Sequence, residues 1–169
     1  MPITSATLAT ALGRFTLTAD ETGLARLILP GKPLSADPPP PVERIAHPLL
    51  AEAARQLRAY IDGSLVDFDL PLSIHGTPFQ QQVWAQLQTI PYGRTMTYGE
   101  LAERIGGRQK ARAVGGAAHA NPLAIIIPCH RLIGAGGALT GFGGGLPMKQ
   151  TLLDLEQTTR QQMRNSAER

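Results

Sequence analysis

One stretch constrains the fold more than any other: Ile125-Ile126-Ile127-Pro128-Cys129-His130-Arg131. Three β-branched residues in a row read as a short buried strand. Pro128 cannot donate a ladder hydrogen bond, so it marks the end of that strand. The chain should therefore leave its core at Cys129, the only cysteine among 169 residues, with a base and a cation directly after it. A lone cysteine is ordinarily a small buried hydrophobe. It becomes a candidate nucleophile when partners can be named for it.

Composition narrows the setting. A single cysteine rules out an internal disulfide framework and a cysteine-rich zinc site, and it suits a reducing, cytoplasmic environment. No apolar run reaches membrane-spanning length, and residues 1–11 lack the charged-then-apolar pattern of a secretory leader. The net charge of +3 is uneven. Residues 1–70 carry 6 basic and 8 acidic side chains, whereas residues 71–169 carry 10 basic and 5 acidic ones. Arg94, Arg104, Arg108, Lys110, Arg112 and Arg131 fall in one segment, which points to a second half that faces a polyanion.

Residues 6–19 alternate as a strand around Gly13, with Phe15 and Leu17 on one face. Asp20-Glu21-Thr22-Gly23 is turn chemistry, and residues 24–29 make the next strand, giving an opening hairpin. Pro30 to Pro33 ends it. Residues 35–41, with four consecutive prolines, form a stiff surface loop. Residues 48–61 form a helix whose stripe is Leu49, Leu50, Ala53, Leu57, Tyr60 and Ile61, stopped by Gly63. Residues 68–74 read as another strand. His47 and His75 stand alone and are read as structural or surface residues.

A boundary follows at His75-Gly76, giving an N-terminal domain over 1–76 and a C-terminal domain over 77–169. Thr77, Pro78 and Gln80 make a capping box ahead of a helix that buries Phe79, Val83, Trp84 and Leu87. A second box, Thr97 to Glu100, opens a short helix that ends at Gly106-Gly107. Residues 109–120 form a third helix rich in alanine and glycine. Two short helices around a glycine turn suggest helix-turn-helix. The small residues allow close backbone approach to another helix or to a phosphate chain. Residues 134–145 are glycine-rich but lack the Lys-Ser/Thr ending of a phosphate-binding loop. A last helix opens at Leu146-Pro147 with Leu152, Leu153 and Leu155 inward, and the polar tail from Gln157 is expected to fray.

Ordered pieces of the second half now resemble the O6-alkylguanine-DNA alkyltransferases. They are Ile90-Pro-Tyr-Gly93, Thr97-Tyr98, Ala111-Arg112-Ala113-Val114-Gly115, Asn121-Pro122, Ile127-Pro-Cys-His-Arg131, Gly143-Gly-Gly145 and residues 152–156. The likeness is strong over 77–156 and looser over 1–76. It implies an α+β fold, with a small antiparallel sheet-plus-helix domain like ribonuclease H followed by a helical domain with a winged helix-turn-helix. It also implies direct repair of DNA, by irreversible transfer of an alkyl group from O6 of guanine (with O4 of thymine as a further substrate) to a cysteine.

The same resemblance assigns roles. Cys129 matches the alkyl acceptor, His130 the base acting through a water, and Glu156 the carboxylate that orients it. Asn121 matches the hinge asparagine. Tyr98 matches the tyrosine that helps turn out the nucleotide and protonates the leaving guanine. Arg112 matches the arginine that fills the vacated place in the duplex, and Thr97, Ala113, Gly115 and Gly116 are expected beside it at the DNA. Phe142, Gly143, Gly144, Ile127 and Leu132 are expected around the base. The expected partner is duplex DNA containing O6-alkylguanine, bound by a monomer with scope for cooperativity along the duplex, and not a membrane. No metal or organic cofactor is expected.

The residue types make chemical sense of this. A thiolate is the nucleophile, and a carboxylate-held histidine can take its proton. A donor such as Tyr98 eases departure of guanine, and a stacked base must be flipped out before it can react. A thioether product with no second cysteine predicts one turnover per molecule. Phe142 stands where many members carry tyrosine, Gly143 where some carry serine, and Ala124 where some carry proline. The zinc-binding cysteines of some members' N-terminal domains are absent. Competing readings are a non-catalytic damage sensor of the same fold, a cysteine hydrolase using Cys129 and His130, and a helix-turn-helix regulator indifferent to Cys129.

Overall fold

The structure, a computed structural model, describes residues 2–32 and 36–168. Pro33 and Ser35, which belong to the expected strand stop and proline loop, lie outside the described residues, as do Met1, Leu34 and Arg169. The chain divides into two units, Met1–His75 and Gly76–Arg169.

The first unit opens with three antiparallel strands rather than one hairpin: β1 (Thr4–Thr10), β2 (Gly13–Ala19) and β3 (Leu24–Ile28), in the order β1-β2-β3. The stretch 6–19 is two strands because Gly13 turns the chain at φ 121°, and a Cβ there would sit 2.8 Å from Pro30. Leu8 faces Phe15, and Leu17 faces Leu27. The turn at Asp20 forms as expected, its carboxylate accepting from Thr22 N at 2.7 Å and Gly23 N at 3.1 Å.

Helix α1 (Pro48–Ile61) packs on this sheet and buries Leu50, Ala53, Ala54, Leu57 and Tyr60, while Leu8, Phe15 and Leu17 are buried on the strands. His47 has a structural part, because its Nδ1 accepts the Leu50 amide at 3.3 Å and so caps the helix. The proline run lies along the outer edge of β1. Thr7 N donates to Pro40 O at 2.9 Å, so residues that cannot extend a ladder blunt an exposed sheet edge.

Residues 68–74 do not form the expected strand; they pair with β3 at an isolated bridge between Leu24 and Leu72. The amide of buried Gln56 takes the place of a neighbouring strand. It donates to Asp69 O and accepts from Asp69 N, both at 2.9 Å.

The second unit contains α2 (Pro78–Leu87), β4 (Met96–Thr97), α3 (Tyr98–Arg104), α4 (Ala111–His119), β5 (Leu132–Ile133) and α5 (Leu146–Ala167), with β4 and β5 paired in parallel. The Thr77–Gln80 capping box closes in both directions. Thr97 caps α3 by accepting from Glu100 N at 3.1 Å, the first half of the second expected box. Helices α3 and α4 pack together as a helix-turn-helix pair, with Gly106 and Gly107 at φ 143° and 135° turning between them. Helix α2 holds α4 from behind, Trp84 Nε1 donating to Ala117 O at 2.8 Å.

Two expectations fail here. Helix α5 continues to Ala167 instead of fraying after Gln157, because its second half still has packing partners. Thr159 is buried, and Gln157 Nε2 donates to Gly93 O at 2.8 Å. On the same helix Leu152 is fully buried, whereas Leu153 and Leu155 are half-buried. The apolar run 125–127 is a buried turn and not a strand. Ile125 takes the left-handed conformation at φ 74°, and Ile127 N reaches back to Leu123 O at 2.9 Å.

Candidate active site

That turn exists because of Asn121. Its Nδ2 donates to Ile127 O at 2.7 Å and its Oδ1 accepts from Leu123 N at 2.9 Å, so one side chain satisfies backbone groups that a strand would have paired. Leu123, Ile125 and Ile127 bury fully or nearly so, which offsets the strain of a β-branched residue at positive φ. Pro128 then makes a γ-type turn, with Cys129 N donating to Ile127 O at 2.7 Å, and a short 3-10 helix carries Cys129, His130 and Arg131.

These three consecutive residues lead into different surroundings. Cys129 is half-buried. His130 is wholly buried, and its Nε2 lies 2.6 Å from Glu156 Oε2 on α5. An ionised carboxylate only accepts, so Nε2 carries the proton. Arg131, counted in the sequence among polyanion-facing cations, is instead buried. Its Nε donates to Glu156 Oε1 at 2.8 Å, Nη2 to Oε2 at 3.0 Å, and Nη1 to Ile90 O at 2.7 Å. Its guanidinium lies 5.6 Å from the Tyr92 ring centre. Gly93 N supplies a further donor to Glu156 Oε1 at 3.1 Å.

The electrostatics follow. Burial pushes the Glu156 carboxyl up, but hydrogen bonds and charge from His130 and Arg131 outweigh it and hold Glu156 below the usual carboxylate range. Burial pushes His130 below its ordinary value; Glu156 opposes this, and the charges of Arg131 and Lys149 reinforce it. Burial pushes the Cys129 thiol up, against the pull of the Asn121 side chain and the Lys149 charge.

Lys149 is the buried side chain of this site that sequence reasoning missed. It is fully buried on α5, and its Nζ donates to Leu132 O and, at 2.9 Å, to Thr140 O. It also sits 6.0 Å from the Tyr98 ring centre. Thr140 O accepts from Tyr98 OH as well, at 3.3 Å. A signal existed: Lys149, Leu152, Glu156 and Thr159 share one helix face, and all four are buried.

The structure thus gathers Cys129, His130, Glu156, Asn121, Tyr98 and Lys149 around one turn. Ile127 and Leu132 are fully buried there, and their carbonyls hold Asn121 and Lys149. Phe142, Gly143 and Gly144 are half-buried on the segment just beyond Thr140; among the described residues no hydrogen bond joins them to Cys129. Arg112, Ala113 and Gly116 form an exposed face of α4. Gly115 lies under the Tyr98 ring, where a Cβ would be 3.7 Å away. Thr97, the α3 cap, is half-buried.

A small α+β unit followed by a helix-turn-helix unit with a Cys-His-Glu constellation defines a class of nucleic-acid-modifying protein, and comparison identifies it further. The ribonuclease-like domain model of 6-O-methylguanine DNA methyltransferase matches residues 3–74, and the DNA-binding domain model of the same protein matches residues 78–158. A methylated-DNA–protein-cysteine methyltransferase of Methanosarcina acetivorans is 48% identical over 146 residues, covering 86% of this chain and 92% of that one. The Mycolicibacterium paratuberculosis protein of the same name is 59% identical over 106 residues, covering 63% of this chain; the matched part spans 64% of that relative's length. The crystal structure of Mycobacterium tuberculosis OGT in complex with DNA superposes with a TM-score of 0.81 at 43% identity, covering 92% of this chain and 93% of that one. The chain belongs to the methylated-DNA–protein-cysteine methyltransferase family.

Proposed function

We propose that this protein repairs DNA by a single, irreversible transfer of an alkyl group from O6 of guanine to Cys129. The observation that carries the reading is the half-buried thiol placed beside a buried histidine–glutamate pair, in a family member with a helix-turn-helix unit. The balance is simple. The thiol proton passes through a water to His130, and Glu156 stabilises the imidazolium. The sulfur pair attacks the alkyl carbon in line, the S–C bond forms and the C–O6 bond breaks. Guanine departs taking a proton from Tyr98, which recovers it from the imidazolium through solvent. Lys149 adds positive charge beside the developing thiolate. The thiol supplies the electron pair, so the step needs no metal or organic cofactor.

The domain over 77–169 performs recognition and transfer, and that over 1–76 supports it. The relative solved in complex with DNA supports DNA as the partner, and we take duplex as its form. The exposed α4 face, small at Ala113 and Gly116, enters the minor groove, Arg112 fills the place of the flipped nucleotide, and Tyr98 helps turn it out. Thr97, Gly115 and neighbouring cations meet the backbone. Phe142, Gly143 and Gly144 close over the base, with backbone N–H groups replacing a serine contact at Gly143. The protein acts as a cytoplasmic monomer.

The test is intact-protein and peptide mass after mixing with a duplex that carries O6-methylguanine. The reading expects a gain of one methylene on the Cys129 peptide and none in Cys129→Ser. An unmodified wild-type protein that still binds the duplex tightly would make it a damage sensor instead.

A further inference from the structure

Glu156 meets four donors. Oε1 accepts from Arg131 Nε and Gly93 N, and Oε2 accepts from His130 Nε2 and Arg131 Nη2. A carboxylate held in this way can neither rotate nor take up a proton without losing a bond. Arg131 makes two of the four contacts in a two-pronged pairing, and its third nitrogen is pinned to Ile90 O. The Tyr92 ring supports its face. The arginine is thus held from three sides, by Glu156, Ile90 O and the Tyr92 ring.

We propose that Arg131 is a positioning residue for alkyl transfer: it holds Glu156 against His130 and keeps the imidazole neutral, ready to take the thiol proton. The proposal rests on the alkyl-transfer reading and adds a residue to it.

The reason is charge balance. Were Glu156 matched by His130 alone, the buried carboxylate would draw a proton onto the imidazole, and a protonated histidine cannot act as a base. Arg131 already neutralises Glu156, so the imidazole keeps only Nε2–H. The other groups facing this site agree in sign. Lys149 on α5 opposes a second positive charge, and Cys129 is a neutral thiol at rest. Tyr92 lies under Arg131, and burial raises its hydroxyl away from ionisation. Helix α2, which packs against the Cys129–Arg131 turn, carries no charged residue.

Single-turnover methyl transfer measured against pH, normalised to the active fraction, tests this. In Arg131→Met the acid limb of the profile should move to higher pH, because the positive charge that opposes protonation of His130 is gone. Arg131→Lys keeps the charge but not the two-pronged geometry, so its acid limb should stay put while the plateau rate falls. A purely structural arginine would lower the active fraction of Arg131→Met and leave the limb of the remainder where it was; that result overturns the proposal. Should Arg131→Met not fold, imidazole nitrogen shifts of the wild-type protein decide. A neutral His130 with its proton on Nε2 at pH 7 supports the proposal, and an imidazolium overturns it. Wild-type protein that transfers no methyl group at any pH would instead defeat the alkyl-transfer reading itself.

Discussion

Cys129 gains nothing from burial by itself, because a desolvated thiol is harder to ionise. Its reactivity must come from its neighbours: the Asn121 side chain and the Lys149 charge pull the thiol down, while burial also pushes the Lys149 ammonium below its ordinary value. Replacing Lys149 with methionine should slow single-turnover transfer at pH 7 by about tenfold or more, since each unit of thiol pKa costs about that fraction of thiolate. The deficit should shrink as pH rises, and a deficit constant with pH would mean that the lysine acts only by packing. At this scale much was legible. Cys129, His130, Glu156, Asn121 and Tyr98 stood in recognisable motifs. Lys149 did not, because a lysine on a helix is discounted as solvent-facing, and only its shared face with Leu152 and Glu156 argues otherwise. Arg131 was misjudged for the same reason.

Among the elements, α5 and the Gly93 turn form one device. Gly93 takes φ 74°, gives its N–H to Glu156 and its carbonyl to Gln157, and lies flat under the Arg160 stem. A Cβ there would stand 2.6 Å from Arg160 Cδ. Gly93→Ala should therefore cost about 1–3 kcal/mol of stability, from the unfavourable φ and the displaced stem. Denaturant unfolding would read this, and a midpoint unchanged from wild type would show that the turn relaxes freely. Helix boundaries were the readable part of the elements, because caps and glycine stops carry local chemistry: α1 spans Pro48–Ile61 and α2 opens at Pro78 as the sequence suggests. Both failed strands share one cause. At 125–127 the Asn121 amide, and at 68–74 the Gln56 amide, satisfies backbone that a strand would have paired. Apolar patterning reports burial, and it says nothing about whether a side-chain amide has replaced a neighbouring strand.

For the whole molecule, the buried network makes folding acid-sensitive. His130 titrates below its ordinary value of 6.5 in the folded state, so the unfolded chain binds more protons there and stability declines as pH falls below about 6.5. Glu156 is also depressed, from an ordinary 4.5, and adds a second loss as pH drops below that value. Melting temperature should hold near neutrality, decline from about pH 6.5 and fall more steeply below about 4.5. A flat profile between pH 7 and 5 would contradict a neutral, buried His130.

The central claim is that one cysteine takes one alkyl group and keeps it. Titrating a fixed amount of protein with increasing duplex that carries O6-methylguanine, and counting the guanines restored, tests it most directly. The account predicts a plateau at one restored guanine per chain, reached without added cofactor. Continued restoration beyond that plateau would mean that the alkyl group leaves Cys129, and the protein would then be a turning-over enzyme with a different mechanism.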